Sequence, residues 1–307
     1  MNHDPAQLLA QADKAYSSAG SGFSFFGSKT EKLENAAALY IQAANAYKKN
    51  KESAVPGGFV TPEQKEVGRQ AGMAFEKAAM IQGTKLGEPD DMAMTLQDAY
   101  AMYNDGSPED AARCLSQVID QYTSKGNFRR AATQSQNLGD TYKNMGDNSK
   151  ARSAYESAAQ WIDSEPNQKL TAAKVREKAA ELAALDGDYL AAAKLFEHVA
   201  WQREGQLPYS VPNDLMRAGV CHLALDLIGA RRALDSYREP RPCPSFPSTD
   251  QFRLLSDLLE IAEQGDSEAF RDRFEQYKRR GFRLDDAIVA ILARITTQIT
   301  EKEEDFS

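Results

Sequence analysis

The 307-residue chain offers few places where covalent or metal chemistry could be done. Three cysteines (Cys114, Cys221, Cys243) and three histidines (His3, His198, His222) exclude a disulfide framework and a Cys/His zinc site. The close pair Cys221-His222 consists of sequence neighbours, which a helix directs to different faces, so no thiolate–imidazole nucleophile is built there. No Ser/His/acid arrangement and no His-Glu-x-x-His run occurs. The stretch 20–30 (GSGFSFFGSKT) has the outline of a phosphate loop, with Gly22 and Gly27 correctly separated and Lys29-Thr30 following. Yet the lysine comes one residue late, and a helical rather than a strand pattern precedes it. Three phenylalanines also occupy a backbone that would have to wrap phosphate closely. Nucleotide binding is rejected, and the chain reads as non-enzymatic, with no cofactor.

Other side chains could do binding chemistry. Phe23, Phe25 and Phe26 lie within four residues, hemmed by Gly and Ser, and a flexible loop cannot turn all three into one core. They form either a loop tucked onto the first helix hairpin or an exposed apolar tip. Burying one such side chain contributes roughly 1.5–3 kcal/mol, so three would support reversible attachment to a membrane or a partner. Lys174 and Lys178, four apart, share a helix face, where like charges repel. Arg129 and Arg130 are expected in the first turn of a helix, where the macrodipole disfavours cations by ~0.3–1 kcal/mol. These basic pairs are either a solvated face, with Glu177 and Glu181 partly neutralising the lysines, or a face whose cost an acidic partner offsets. The chain ends on EKEEDFS (301–307), either a frayed helix end or a short docking peptide in which Phe306 follows three acids.

These groups must be carried by helices. The 42% apolar and 27% charged fractions are those of a foldable chain. Its 46 alanines are clustered on helical stripes. One runs Leu33, Ala36, Ala37, Tyr40, Ile41, Ala44, Tyr47, and another closes the chain at Ile288, Ile291, Leu292, Ile295, Ile299. No segment alternates with period two long enough to be a strand. Start signals stand at Asp4-Pro5, Thr61-Pro62, Ser107-Pro108 and Ser248-Thr249, each with an acid or amide (Gln7, Gln64, Asp110, Gln251) three residues after a capping side chain.

A repeat organises the middle of the chain. Gly106, Gly146 and Gly187 are each followed five residues later by alanine (Ala111, Ala151, Ala192) and nine later by a large apolar residue (Leu115, Tyr155, Phe196). Gly126 sits halfway between the first two, so each unit of about 40 residues reads as a helix pair. The fold class is all-α: a helix-hairpin solenoid resembling tetratricopeptide (TPR) repeats, expected over 1–205, capped by a helical bundle over 206–307. Residues 53–62 read as an exposed insertion.

The formal charge of −8 argues against nucleic acid as partner. The longest apolar run, Ala287–Ala293, is far too short to span a bilayer, and no basic-then-apolar layout opens the sequence. A cytoplasmic location follows as the expectation.

The segments LLAQADKAY (8–16), ENAAALYIQAANAY (34–47), GNFRRAA (126–132), KAAELAALDGDY (178–189) and EEDFS (303–307), together with the Gly-flanked Phe loop, resemble the soluble NSF attachment proteins. The likeness is to the fungal alpha form and covers essentially the whole chain. It implies a non-enzymatic adaptor, monomeric in solution, several copies of which coat the acidic four-helix bundle of a SNARE complex. Together these copies recruit NSF, the hexameric AAA ATPase that unwinds the bundle in vesicle-mediated transport. Carried over, Phe23, Phe25 and Phe26 become a membrane-contacting loop that makes the protein peripherally membrane-associated. Arg129, Arg130, Lys174 and Lys178 become SNARE contacts; Thr133 stands where animal forms have lysine. Asp226, Glu260, Glu263, Glu303, Glu304, Asp305 and Phe306 become NSF contacts, with Phe306 in place of a near-terminal leucine. The alternative, from a different class, is a general helical-repeat scaffold that binds peptides and has no membrane role.

Overall fold

Small residues at helical spacing let helix axes approach closely, and that approach generates the architecture. The structure, a computed structural model, describes residues 4–20, 28–52, 60–281 and 284–305. Every regular element among them is helical, with 14 α-helices and no strand. The chain divides into two compact units, Met1–Gly146 and Asp147–Ser307.

The first unit contains α1 (Pro5–Gly20), α2 (Lys29–Glu52), α3 (Pro62–Ile81), a π-helical turn (Gln82–Leu86), α4 (Pro89–Tyr103), α5 (Pro108–Ser124) and α6 (Phe128–Asn144). Each helix packs on the next in chain order. The stripe expected from Leu33 to Tyr47 is the inner face of α2: Leu33, Ala36, Ala37, Tyr40 and Ala44 are buried, while Ile41 and Tyr47 are half-buried. Asp13 ties three helices together, accepting from Tyr40 Oη and from Lys77 Nζ at 2.8 Å. A helix precedes the Phe loop, as the rejection of a phosphate loop required. Phe23, Phe25 and Phe26 themselves, and residues 53–59 of the expected insertion, lie outside the described residues.

The second unit contains α7 (Asn148–Asp163), α8 (Lys169–Leu185), α9 (Tyr189–Arg203), α10 (Val211–Leu225), α11 (Leu227–Ser236), a 3-10 turn (Phe246–Ser248), α12 (Asp250–Gln264), α13 (Ser267–Arg279) and α14 (Asp286–Asp305). Helices α7 to α10 pack in succession; α10 then serves as the centre against which α11, α12 and α14 assemble. The expected boundary at residue 205 falls inside this unit, in the turn between α9 and α10, which pack on each other. Side chains change character along it. Alanines fill the α8–α9 contact, whereas Phe246, Phe252, Phe270, Leu254 and Leu255 fill the bundle, joined by Ile288, Ile291, Leu292, Ile295 and Ile299 of α14. Gly219 is what lets α10 meet α12: a Cβ there would stand 2.5 Å from Leu255 Cδ1.

The 40-residue repeat is the pairing α5/α6, α7/α8, α9/α10. Two of its turns follow a two-residue rule. Gly146 (φ 79°) and Gly187 (φ 80°) take the left-handed conformation that ends one helix without a Cβ penalty. The next residue then caps the following helix: Asp147 accepts from Lys150 N at 3.1 Å, and Asp188 from Ala191 N at 3.2 Å. Thr61 builds a full capping box with Gln64; α12 is capped one residue later than expected, by Thr249 accepting from Phe252 N, because Ser248 closes the preceding 3-10 turn. Ser107 departs from expectation. It occupies the N-cap position of α5 but makes no capping hydrogen bond, and α5 begins on Pro108 with Glu109 and Asp110 in its first turn.

Candidate functional site

Helix α8 sorts its charges by face. Lys174 is exposed and Lys178 half-buried, with its ammonium 4.9 Å from the centroid of the Tyr155 ring on α7. Between them in sequence, Arg176 and Glu177 turn inward. Arg176 binds Asp163 and Gln202. Glu177 is gripped by Arg203 of α9 and Arg217 of α10. Burial pushes the Glu177 carboxyl up, but Arg203 and Arg217 outweigh it and hold the group below its ordinary value. Glu177, half-buried, is therefore held toward α9 and α10 by these two arginines. Glu181 approaches Arg217 at 3.8 Å.

The same network continues to Asp214, which accepts from Arg203 Nη1 at 2.7 Å, and to Asp285, which accepts from Arg217 Nε at 2.7 Å. Asp214 is 1% exposed, and its Oδ2 has no hydrogen-bond partner. Burial exceeds the pull of Arg203, and the carboxyl is pushed up to about 6. The residues behind the lysines thus lock α8, α9 and α10 to the chain entering α14.

Arg129 and Arg130 lie in the first turn of α6, in the other unit, and both are exposed. The Arg130 guanidinium stands 5.8 Å from the Tyr122 ring centroid. Lys125 in the preceding turn pairs with Asp90, whose carboxyl is held low first by that lysine and Gln121, and further by the charge of Arg130. The α5–α6 turn therefore sets two cations, Lys125 and Arg130, on one acid. Thr133, one turn further, is exposed and donates its hydroxyl to the Arg129 carbonyl at 3.2 Å, so it extends the face without adding charge.

The acids of the bundle are less free than their sequence pattern suggested. Asp226 is the N-cap of α11, accepting from Gly229 N at 2.6 Å. Glu263, at the end of α12, is held two-pronged by Arg231 of α11, with Nε donating at 3.0 Å. Glu260 is exposed, and its charge also reaches Arg231. The structure nevertheless brings Asp226 and Glu263 together on one groove of about 730 Å³, lined also by Leu225, Leu227, Ile228 and, from α14, Ile295 and Ile299. Glu303, Glu304 and Asp305 belong to the last turn of α14, but their side chains, and Phe306, lie outside the described residues.

Sequence reasoning missed Tyr155 as the platform of Lys178, Arg231 as the clamp on Glu263, and the exposed Leu225 and Ile228. The last two carried a signal. Leu225-Asp226-Leu227-Ile228-Gly229 places a capping residue between apolar ones, the mark of a tight helix–helix corner. Among the described residues no helix is long and apolar enough to cross a membrane, and no cluster of His, Cys, Asp and Glu could hold a metal ion.

Comparison with known proteins is consistent along the chain. A family model described as soluble NSF attachment protein, SNAP, matches residues 3–300. A probable vesicular-fusion protein sec17 homolog of Neurospora crassa is 38% identical over 99% of both chains. One of the same description from Schizosaccharomyces pombe is 37% identical over the same shares. The alpha-soluble NSF attachment protein of Saccharomyces cerevisiae is 30% identical over 98% of this chain and 99% of its own.

Proposed function

The chain belongs to the soluble NSF attachment protein (SNAP) family, and from that premise we propose that it binds assembled SNARE complexes and recruits and stimulates an NSF-type AAA ATPase to take them apart. Family members are adaptors and not enzymes, and membership carries a role in vesicle fusion. The finer reading rests on one observation above the others. Helix α8 carries Lys174, which is exposed, and Lys178, which is braced on the Tyr155 ring, one turn apart on one face. Two cations at that spacing repel each other mildly and are suited to an acidic helical bundle.

Arg129 and Arg130 are assigned to the same partner, because they too are exposed cations in excess of local acid. The ATPase is assigned to Asp226, Glu260 and Glu263 together with Glu303, Glu304, Asp305 and Phe306. Phe23, Phe25 and Phe26 are assigned to the membrane surface. Several copies on one bundle, each also touching lipid, raise effective concentration, so individually weak, salt-sensitive contacts suffice. The deciding experiment is disassembly of a purified SNARE complex by an NSF-type ATPase with ATP, with and without this chain. ATP-dependent disassembly that requires the chain is expected. Peptide binding without any effect on disassembly would instead favour a general scaffold.

A further inference from the structure

The corner between α10 and α11 displays apolar side chains to solvent on a rigid support. Ile228 is 68% exposed and Leu225 is 44% exposed. They flank Asp226, whose carboxylate caps α11; a Cβ on Gly229 would come within 2.9 Å of Asp226 Oδ2, so glycine permits the tight corner. Behind them the groove runs to α14, where Ile295 and Ile299 are buried and form its floor. Among the described residues its lining carries two acids, Asp226 and Glu263, and no cation. Glu260 and Glu301 are exposed on α12 and α14, and Arg231 of α11 is already clamped by Glu263.

Such a surface is unsuited to an anionic lipid headgroup layer, which would bring negative charge to a negative rim. It suits an apolar side chain flanked by lysine or arginine. We propose that this groove is an apolar docking site for the ATPase partner, taking a branched aliphatic or aromatic side chain that projects from a basic patch. The inference rests on the ATPase assignment given above and adds to it a non-electrostatic anchor. Acids at the rim steer the encounter and set its salt dependence, while Ile228, Leu225 and Ile299 hold the seated side chain.

The test uses the full chain at saturation on immobilised SNARE complex, with recruitment of an NSF-type ATPase hexamer measured against salt in a non-hydrolysed ATP analogue. Ile228→Ala is expected to weaken recruitment by ~10-fold at every salt concentration without changing the salt slope. Glu263→Gln is expected to flatten the slope. Both should bind SNARE complex as the parent does and show the parent's helical circular dichroism and melting. Leu225→Ala serves as the second groove variant. Parent-like recruitment by both Ile228→Ala and Leu225→Ala overturns the groove and leaves the ATPase assignment standing. Failure of the parent chain to recruit the ATPase overturns both. A loss confined to liposome binding or to self-association overturns the choice of partner.

Discussion

Lys178 stands with its ammonium 4.9 Å from the centroid of the Tyr155 ring, so a candidate contact residue is positioned by the helix before its own. The ring face favours the cation and fixes the side-chain stem, at ~0.5–1 kcal/mol for a partly exposed site. A pre-positioned lysine gives up less rotamer freedom on meeting an acidic partner.

The double variant Lys174→Glu, Lys178→Glu is therefore expected to weaken SNARE-complex binding by ~10-fold or more at low salt, the gap narrowing as salt rises. Lys178→Met keeps the stem and removes the charge, and should give a smaller loss of the same salt-sensitive kind. Glu177→Gln is the contrasting variant. It leaves Arg203 and Arg217 under-paired in the interior, so it should lower stability by ~1–3 kcal/mol with binding per folded molecule preserved. Titration of immobilised complex at several salt concentrations, beside denaturant melts, reads both effects.

Removal of Glu301–Ser307 should abolish stimulation of the ATPase and leave SNARE binding intact. Among the described residues, the buried ones of α14 run from Ala287 to Ile299 and precede the cut, so the bundle is expected to lose less than ~1 kcal/mol. A coupled ATPase assay and a pull-down, on the same preparation, separate the two readouts. Parent-level stimulation would remove the tail from the ATPase site.

Replacing Phe23, Phe25 and Phe26 by serine should reduce co-flotation with liposomes, since each apolar side chain contributes roughly 1.5–3 kcal/mol when buried. Binding to SNARE complex free of lipid should be unchanged. Identical flotation would mean that the three rings are packed against their own helix hairpin.

Asp214 makes a pH prediction. Its native carboxyl sits at about 6, above the unfolded value near 3.8, so it is a group whose charged form is disfavoured by folding. Its penalty is fully present above pH 6 and is relieved as pH falls from 6 towards 4, where the native state binds the proton first. Asp214→Asn removes that relief. Relative to the parent, the variant should lose about 2–3 kcal/mol between pH 7 and pH 4, measured as the difference between two denaturant series. Glu177 works in the opposite sense and shares Arg203 with Asp214, so the same pair of series on a Glu177→Gln background isolates the Asp214 contribution.

Much of the scaffold was legible from spacing. The stripes of α2 and α14, the glycine-marked helix pairs and the proline-marked helix starts at Pro5, Pro62 and Pro108 all depend on local periodicity and backbone conformation, which a chain carries in neighbouring residues. What escaped depends on which helices meet. Glu177 is four residues before Glu181 and next to Lys178, so sequence pairs it with the lysines; its partners, Arg203 and Arg217, arrive from 26 and 40 positions away. Asp226 reads as one acid among many until the α10–α11 corner makes it a cap. Ser107 failed for the converse reason, since the right residue in the right place forms no capping bond unless its own backbone aims the hydroxyl.

The Gly-Asp turns at Gly146-Asp147 and Gly187-Asp188 close one helix and open the next within two residues, and their capping hydrogen bonds are local. A hairpin bounded by such junctions is a self-contained cassette. Duplication or loss of one 40-residue segment would preserve both flanking turns, so a lineage could lengthen or shorten the array without first inventing a new joint.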